Sequence, residues 1–192
     1  MDTNDVLRIF KETHGLLEGH FQLTSGLHSP QYFQCAKVLQ YPAHATVLCS
    51  DIADHFRGQN IESVIAPAIG GIVVAQEVGR LLGLKTMFAE RKEQVMQLRR
   101  GFEIHHGERV LVCEDVVTTG GSVREVIEIV RELGGIVAGV ASIVDRSNGA
   151  TIYENFHPVM TMHAVTYKPD ACPLCKEGIP VEKPGSRPGH RR

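Results

Sequence analysis

From residue 63 onward the sequence alternates short apolar runs with amphipathic ones, and no other feature restricts the fold as much. Residues 63–66, 85–89, 109–113, 136–144 and 159–164 read as buried strands, rich in β-branched and other apolar side chains. Residues 71–82 and 121–133 carry their apolar side chains at helical spacing. Such alternation predicts an α/β fold, a mainly parallel sheet flanked by helices. Ligands bind such sheets outside the carboxyl ends of the strands. The segments that follow the strands are therefore the places to look for chemistry. They are Pro67-Ala-Ile-Gly-Gly71, Glu90-Arg91-Lys92, residues 114–122, and Asp145-Arg146-Ser147. If the strands run parallel, all four converge on one edge.

Residues 110–122 are the most informative of these. The buried-strand pattern of 110–112 leads to the paired carboxylates Glu114 and Asp115, then to Val116, Val117, Thr118, Thr119, Gly120, Gly121 and Ser122, and then to a helix. Glycines let a backbone approach a phosphate closely, and amides at a helix N-terminus point at an anion. The hydroxyls add donors, and the carboxylates can accept from sugar hydroxyls or hold a metal. No Gly-Lys-Ser/Thr follows, and the spacing of a dinucleotide loop is absent. A plain strand-to-helix turn with Ser/Thr caps would use some of these residues, but not all of them within so short a stretch.

The segment resembles the phosphoribosyl diphosphate (PRPP) signature of the type I phosphoribosyltransferases. The resemblance implies that family's fold, with a small N-terminal hood over residues 1–40, an α/β core over 41–167 and an irregular tail over 168–192. It implies that Glu114 and Asp115 hold the ribose hydroxyls, that residues 117–122 clasp the 5′-phosphate, and that Val116 belongs to the same PRPP-binding stretch. It gives the loop Ala66, Pro67, Ala68, Ile69, Gly70 and Gly71 to the pyrophosphate. That loop contains no side-chain cation, so its contacts would be backbone amides. Taken alone, it is also a tight turn that packs a helix closely.

Residues 90–102 hold Arg91, Lys92, Arg99 and Arg100 and could be a solvated hairpin. By resemblance they are the flexible catalytic loop, which in the family's homodimers reaches the neighbouring subunit's site. Arg91 and Lys92 match its start. The lysine and histidine that the family carries further on are Val95 and Gln97 here, and Arg99 and Arg100 are the remaining cations.

Residues 20–34 alternate like two short strands around a Ser25-Gly26 turn. On their own they are a hairpin, with Tyr32 and Phe33 as possible core aromatics. They resemble the base-binding segment of those family members that act on orotate, keeping Ser25, Gly26, Ser29, Pro30, Tyr32 and Phe33, with Thr24 where a lysine is common. The resemblance makes Ser25, Gly26, Tyr32, Phe33, Thr118 and Arg146 the orotate-binding residues. A guanidinium suits the planar, bidentate recognition of a carboxylate. The implied reaction moves the phosphoribosyl group of PRPP to orotate, with Mg²⁺ as cofactor and a homodimer as the assembly.

Upstream, residues 3–17 look helical behind a Thr3 or Asn4 cap, and 43–56 should bury Val47, Leu48, Ile52 and Phe56. The tail, residues 168–192, is rich in proline and resembles the end of one bacterial and archaeal branch of the family up to 184–187. Within it Cys172 and Cys175 have metal-ligand spacing. Two thiolates fall short of a four-ligand site. His157, His163 or His190 could complete one, or two subunits could share a metal.

The remaining features set limits. A chain of 192 residues with 43% apolar and 22% charged residues is an ordinary globular composition. The net charge of −2 gives no basic field for nucleic acid, and no apolar run is long enough to span a bilayer. Five irregularly spaced cysteines give no disulfide framework, and the acidic N-terminus has no signal-peptide layout. The expectation is a reduced, cytoplasmic protein.

Overall fold

The computed structural model describes residues 1–23, 25–150, 153–163 and 165–184. A six-stranded sheet of order β5-β4-β3-β6-β7-β8 forms its centre. The strands are β3 (Ser63–Pro67), β4 (Lys85–Lys92), β5 (Val95–Leu98), β6 (Arg109–Val117), β7 (Ile136–Asp145) and β8 (Phe156–Thr161). β3, β4, β6, β7 and β8 pair in parallel, and only β5 runs antiparallel, on β4 at the edge. Four of the strands that the sequence predicts occupy the expected places. β8 begins at Phe156 instead of 159, paired with β7 from Val140.

Alternating side chains divide the core into two. Leu111 and Cys113 of β6 face α3 (Pro42–Phe56) and α4 (Gly70–Leu82), where Leu48, Ile52, Phe56, Val74 and Val78 are buried. Val110 and Val112 face α5 (Gly121–Glu132), with Val123, Val126 and Val130. The strand order reverses between β3 and β6. The chain leaves β3 towards β4 and returns to β3's other side as β6. A reversal of this kind opens a crevice above the carboxyl ends of the two strands.

The N-terminal part differs from the sequence expectation in several places. α1 spans only Thr3–Glu12, capped by Asp2, whose side chain accepts from the Asn4 amide. The chain breaks at His14, which has φ 53°, and a Cβ on Gly15 would lie 2.7 Å from Val38 Cγ2. Leu16 and Leu17 therefore begin β1 (Leu16–Gln22) instead of extending the helix. β1 pairs with β2 (His28–Phe33) as the expected hairpin. A short helix, α2 (Cys35–Leu39), follows it without having been anticipated. In α3 the buried stripe is Ala45, Leu48, Cys49, Ile52, Ala53 and Phe56. Val47, expected inside, is 48% exposed.

The tail holds a 3-10 turn (Pro169–Ala171) and a four-residue helix, α6 (Pro173–Lys176). It flanks the β1–β2 hairpin on both sides. The His28 and Tyr167 amides donate to each other's carbonyls at 2.8 Å, and the Gln22 amide donates to Glu182 O at 2.7 Å. His157, a proposed metal partner for the tail cysteines, instead meets Asp51 at 2.8 Å and stacks on His55. Thr24, His190 and the 185–187 part of the tail resemblance lie outside the described residues. Among the described residues no helix is long and apolar enough to cross a membrane.

Candidate active site

The four strand-end segments do meet at one edge. The Ala68 amide donates to Ala89 O at 2.8 Å, joining the ends of β3 and β4. The Arg146 amide donates to Val117 O at 2.8 Å, joining those of β6 and β7. Across the crevice, α4's first residues press against the carboxylate pair. A Cβ on Gly70 would lie 2.2 Å from Asp115 Oδ2, and one on Gly71 would lie 3.0 Å from Glu114 Oε1. The loop 66–71 and the pair Glu114–Asp115 are thus in direct contact, and only glycine allows the approach at position 70. Both carboxylates are held by the backbone. Glu114 Oε1 accepts from the Asp115 amide at 3.0 Å, and Asp115 Oδ1 accepts from the Val116 amide at 2.8 Å.

Two helices aim their N-termini at this crevice. α4 starts at Gly70 and α5 at Gly121, and neither has a side-chain cap or an acidic residue in its first turn. α1, by contrast, has both. First-turn amides need acceptors, and helices without caps leave room for an anion. Gly120, at φ 71°, turns the chain from β6 into α5 through a left-handed conformation. Thr118 and Thr119 are exposed beside it, while Val116 and Val117 finish the strand. Two residues that the motif reading passed over brace this turn. Arg124 donates to Thr119 O at 2.7 Å, and the Tyr153 hydroxyl donates to Gly120 O at 3.0 Å. Arg124 had a sequence signal, since a cation in the first turn of a helix opposes the macrodipole unless an anion is meant to sit there. Tyr153 had none.

Arg146 is 8% exposed, its Nε has no hydrogen-bond partner, and among the described residues it forms no ion pair. Its guanidinium lies 5.3 Å from the centre of the Phe33 ring. Burial pushes it below its ordinary pKa. Phe33 itself is buried, packed edge-on against Phe10 at 5.2 Å. It supports Arg146 from the core, as its reading as a core aromatic expects. Tyr32 is half-buried. Burial first, and the Asp115 carboxylate second, push its phenol up. Ser25 and Gly26 form the hairpin tip, where the Gly26 amide donates to Leu23 O at 2.9 Å. Cys35, also unanticipated, is buried beneath the pair, its Sγ 3.9 Å from Asp115 O.

The cationic segment is a hairpin. β4 runs on through Glu90, Arg91 and Lys92, turns at Glu93 and Gln94 (φ 52° and 71°), and returns as β5. Arg91 pairs with Glu125 of α5 at 2.5 Å, and Arg99 and Arg100 both bind Glu90. Lys92 is exposed.

A carboxylate pair, two uncapped helix N-termini and a glycine loop thus meet at the sheet's switch point, and sequence comparison shows the family. The phosphoribosyl transferase domain family matches residues 37–161, and the chain belongs to it. Within that family it belongs to the orotate phosphoribosyltransferases. It is 58% identical over 188 residues to the orotate phosphoribosyltransferase of Chlorobaculum parvum and 55% identical to that of Chlorobium phaeobacteroides, covering 97% of each chain in both cases. A crystal structure of orotate phosphoribosyltransferase from Aeropyrum pernix is similar at 26% identity with a TM-score of 0.67, covering 76% of this chain and 84% of that one.

Proposed function

We propose that this enzyme transfers the phosphoribosyl group of PRPP to orotate, giving orotidine 5′-monophosphate and diphosphate in pyrimidine biosynthesis. The observation that carries the base assignment is Arg146, a buried guanidinium that has no counter-ion among the described residues and lies at the same sheet edge as Glu114 and Asp115. An unpaired buried cation is unfavourable and asks for an anionic partner, and orotate is a base that brings a carboxylate. Uracil and the purines do not.

The remaining roles follow from the geometry of the crevice. Glu114 and Asp115 accept from the ribose hydroxyls, and their backbone hydrogen bonds fix them for it. Residues 117–122 bind the 5′-phosphate, and the amides of residues 66–71 bind the diphosphate. Tyr32, Ser25 and Gly26 close over the base from the hood. The bond from the anomeric carbon to diphosphate oxygen breaks as the bond to the ring nitrogen forms, through an oxocarbenium-like state, and the proton of that nitrogen leaves to water or to the departing diphosphate. Positioning and charge stabilisation carry such a reaction, and it needs no covalent nucleophile. Arg91, Lys92, Arg99 and Arg100 on the β4–β5 hairpin neutralise the leaving diphosphate once they exchange Glu125 and Glu90 for it.

Mg²⁺ fits the site's oxygen donors, Glu114, Asp115, Thr118 and Thr119, as a hard cation bound mainly through substrate phosphates and water. When bound it would add positive charge to the diphosphate. We assign the enzyme to the cytoplasm as a homodimer. Tyr41, Val47, Ile69 and Val73, exposed on the mutually packed α3 and α4 or at their first turns, offer apolar surface for that contact.

The deciding experiment offers PRPP and Mg²⁺ with orotate, uracil, adenine and hypoxanthine in turn. Consumption of orotate alone is expected, and equal or better turnover of another base would overturn the assignment.

A further inference from the structure

Four side chains far from the crevice converge without belonging to either apolar core. His20 of β1, His28 of β2, and Cys172 and Cys175 of the tail bring their ligand atoms within 4.8 Å of one another. His20 Nε2 lies 2.8 Å from His28 Nδ1, 3.5 Å from Cys172 Sγ and 3.7 Å from Cys175 Sγ, and Cys175 Sγ lies 3.3 Å from His28 Nδ1. A tetrahedral zinc with bonds of about 2.0–2.3 Å sets neighbouring N and S ligand atoms about 3.3–3.8 Å apart. The three nitrogen–sulfur separations of 3.3–3.7 Å match that figure, the two nitrogens are closer at 2.8 Å, and all four atoms lie within 4.8 Å of one another. His20 is oriented for the task. Its Nδ1 donates to Ile179 O at 2.7 Å, which leaves the Nε2 lone pair facing the other three.

Apolar packing does not account for the cluster. His20, His28 and Cys172 are 2%, 5% and 0% exposed, yet Cys172 is the only buried residue among the described residues of 165–184. α6, which carries Cys175, buries nothing.

We propose that His20, His28, Cys172 and Cys175 bind one Zn²⁺ in a closed, structural site that pins the C-terminal tail to the N-terminal hairpin. Two thiolates and two imidazoles are a donor set selective for zinc, and four protein ligands leave no open position for catalysis. Binding releases the two thiol protons and leaves the imidazoles neutral, so the buried site carries no net charge. The clip joins residues 152 positions apart in the chain, a closure that backbone hydrogen bonds alone support weakly. Both strands of the hairpin supply a ligand, so the metal also fixes the base of the turn that carries Ser25 and Gly26.

The full-length enzyme, purified without chelator, is analysed for zinc, iron, copper and nickel by mass spectrometry, and again after exchange into Co²⁺. About one zinc per chain is expected, with intense visible absorption and sulfur-to-cobalt charge transfer in the cobalt form. Cys175→Ser changes the most exposed ligand, so it should fold normally yet lose most of the bound zinc. A Cys172→Ser/Cys175→Ser double variant should lose all of it, and trypsin should then cut after Lys176 at least tenfold faster. Folded wild-type enzyme that takes up no zinc when it is supplied would overturn the proposal. So would an octahedral cobalt spectrum, or a double variant that retains the metal.

Discussion

Replacing Arg146 by Met should make the protein more stable and almost useless. In the free enzyme the guanidinium is 8% exposed and its Nε is unsatisfied. A buried donor left unmade costs about 1–3 kcal/mol. The ring of Phe33, 5.3 Å away, offsets part of this through a cation–π contact of about 0.5–2 kcal/mol. Met fills similar space, and its sulfur keeps a contact of about 0.3–1.5 kcal/mol with the same ring. The exchange should therefore leave the free variant about 1 kcal/mol more stable, a rise in Tm of about 2–4 °C for a chain of this length. Orotate loses its counter-charge in a desolvated site, which costs about 3–5 kcal/mol, or roughly 10²–10⁴-fold in kcat/KM. PRPP affinity, set at the other end of the crevice, should stay within about threefold. Calorimetry of the free protein, PRPP titration and initial rates against orotate give the three quantities. A variant that loses several degrees in Tm, or that keeps kcat/KM for orotate within about threefold of wild type, would refute the role given to Arg146.

Three further outcomes test other parts of the structure. Asp115→Asn should leave Tm nearly unchanged and lower kcat by at least about 10²-fold, because it weakens an acceptor at the reacting sugar. Gly70→Ala puts a methyl 2.2 Å from Asp115 Oδ2 and should cost a similar factor, but should add little in an Asp115→Ala background, as a double-mutant cycle would show. Arg80 and Thr46 hold the Glu77 carboxyl below its ordinary value by hydrogen bonds, so Glu77 stabilises the fold above the unfolded carboxyl pKa and loses that effect as pH falls through the folded one. Glu77→Gln should thus lower the urea midpoint at pH 7 and match wild type near pH 3.

The parallel sheet was legible because its strands are buried on both faces and read as continuous β-branched runs, whatever their neighbours. The crevice was legible for the same reason: once β3, β4, β6 and β7 are parallel, residues 66–71, 90–92, 114–122 and 145–147 have one edge to share. What the sequence hid depends on contacts across the chain. The turn at Glu93 and Gln94 has left-handed backbone at both positions without the Asn-Gly or Asp-Gly that normally announces it, so residues 90–102 fitted a hairpin or a flexible loop and the bounds of β5 were hidden. Val47 sits at helical spacing with Leu48 and Ile52, but the stripe that packs on α4 is rotated towards Ala45 and Cys49. His20 and His28 look like ordinary strand residues until the tail folds back beside them.

The arrangement of charge in the crevice has its own logic. Arg146 and Asp115 lie at the same sheet edge, yet among the described residues no ion pair joins them. Had they met, each would have been satisfied and neither would discriminate among ligands. The fold keeps them apart by giving each a different support. The Asp115 and Val116 amides hold the carboxylates, and the Phe33 ring holds the guanidinium. The Phe33 ring does not neutralise the guanidinium it holds, so Arg146 keeps its demand for an anion until a substrate arrives. A buried cation at one end and fixed acceptors at the other select an anionic base joined to a polyhydroxylated sugar, and the free enzyme carries the cost as lost stability.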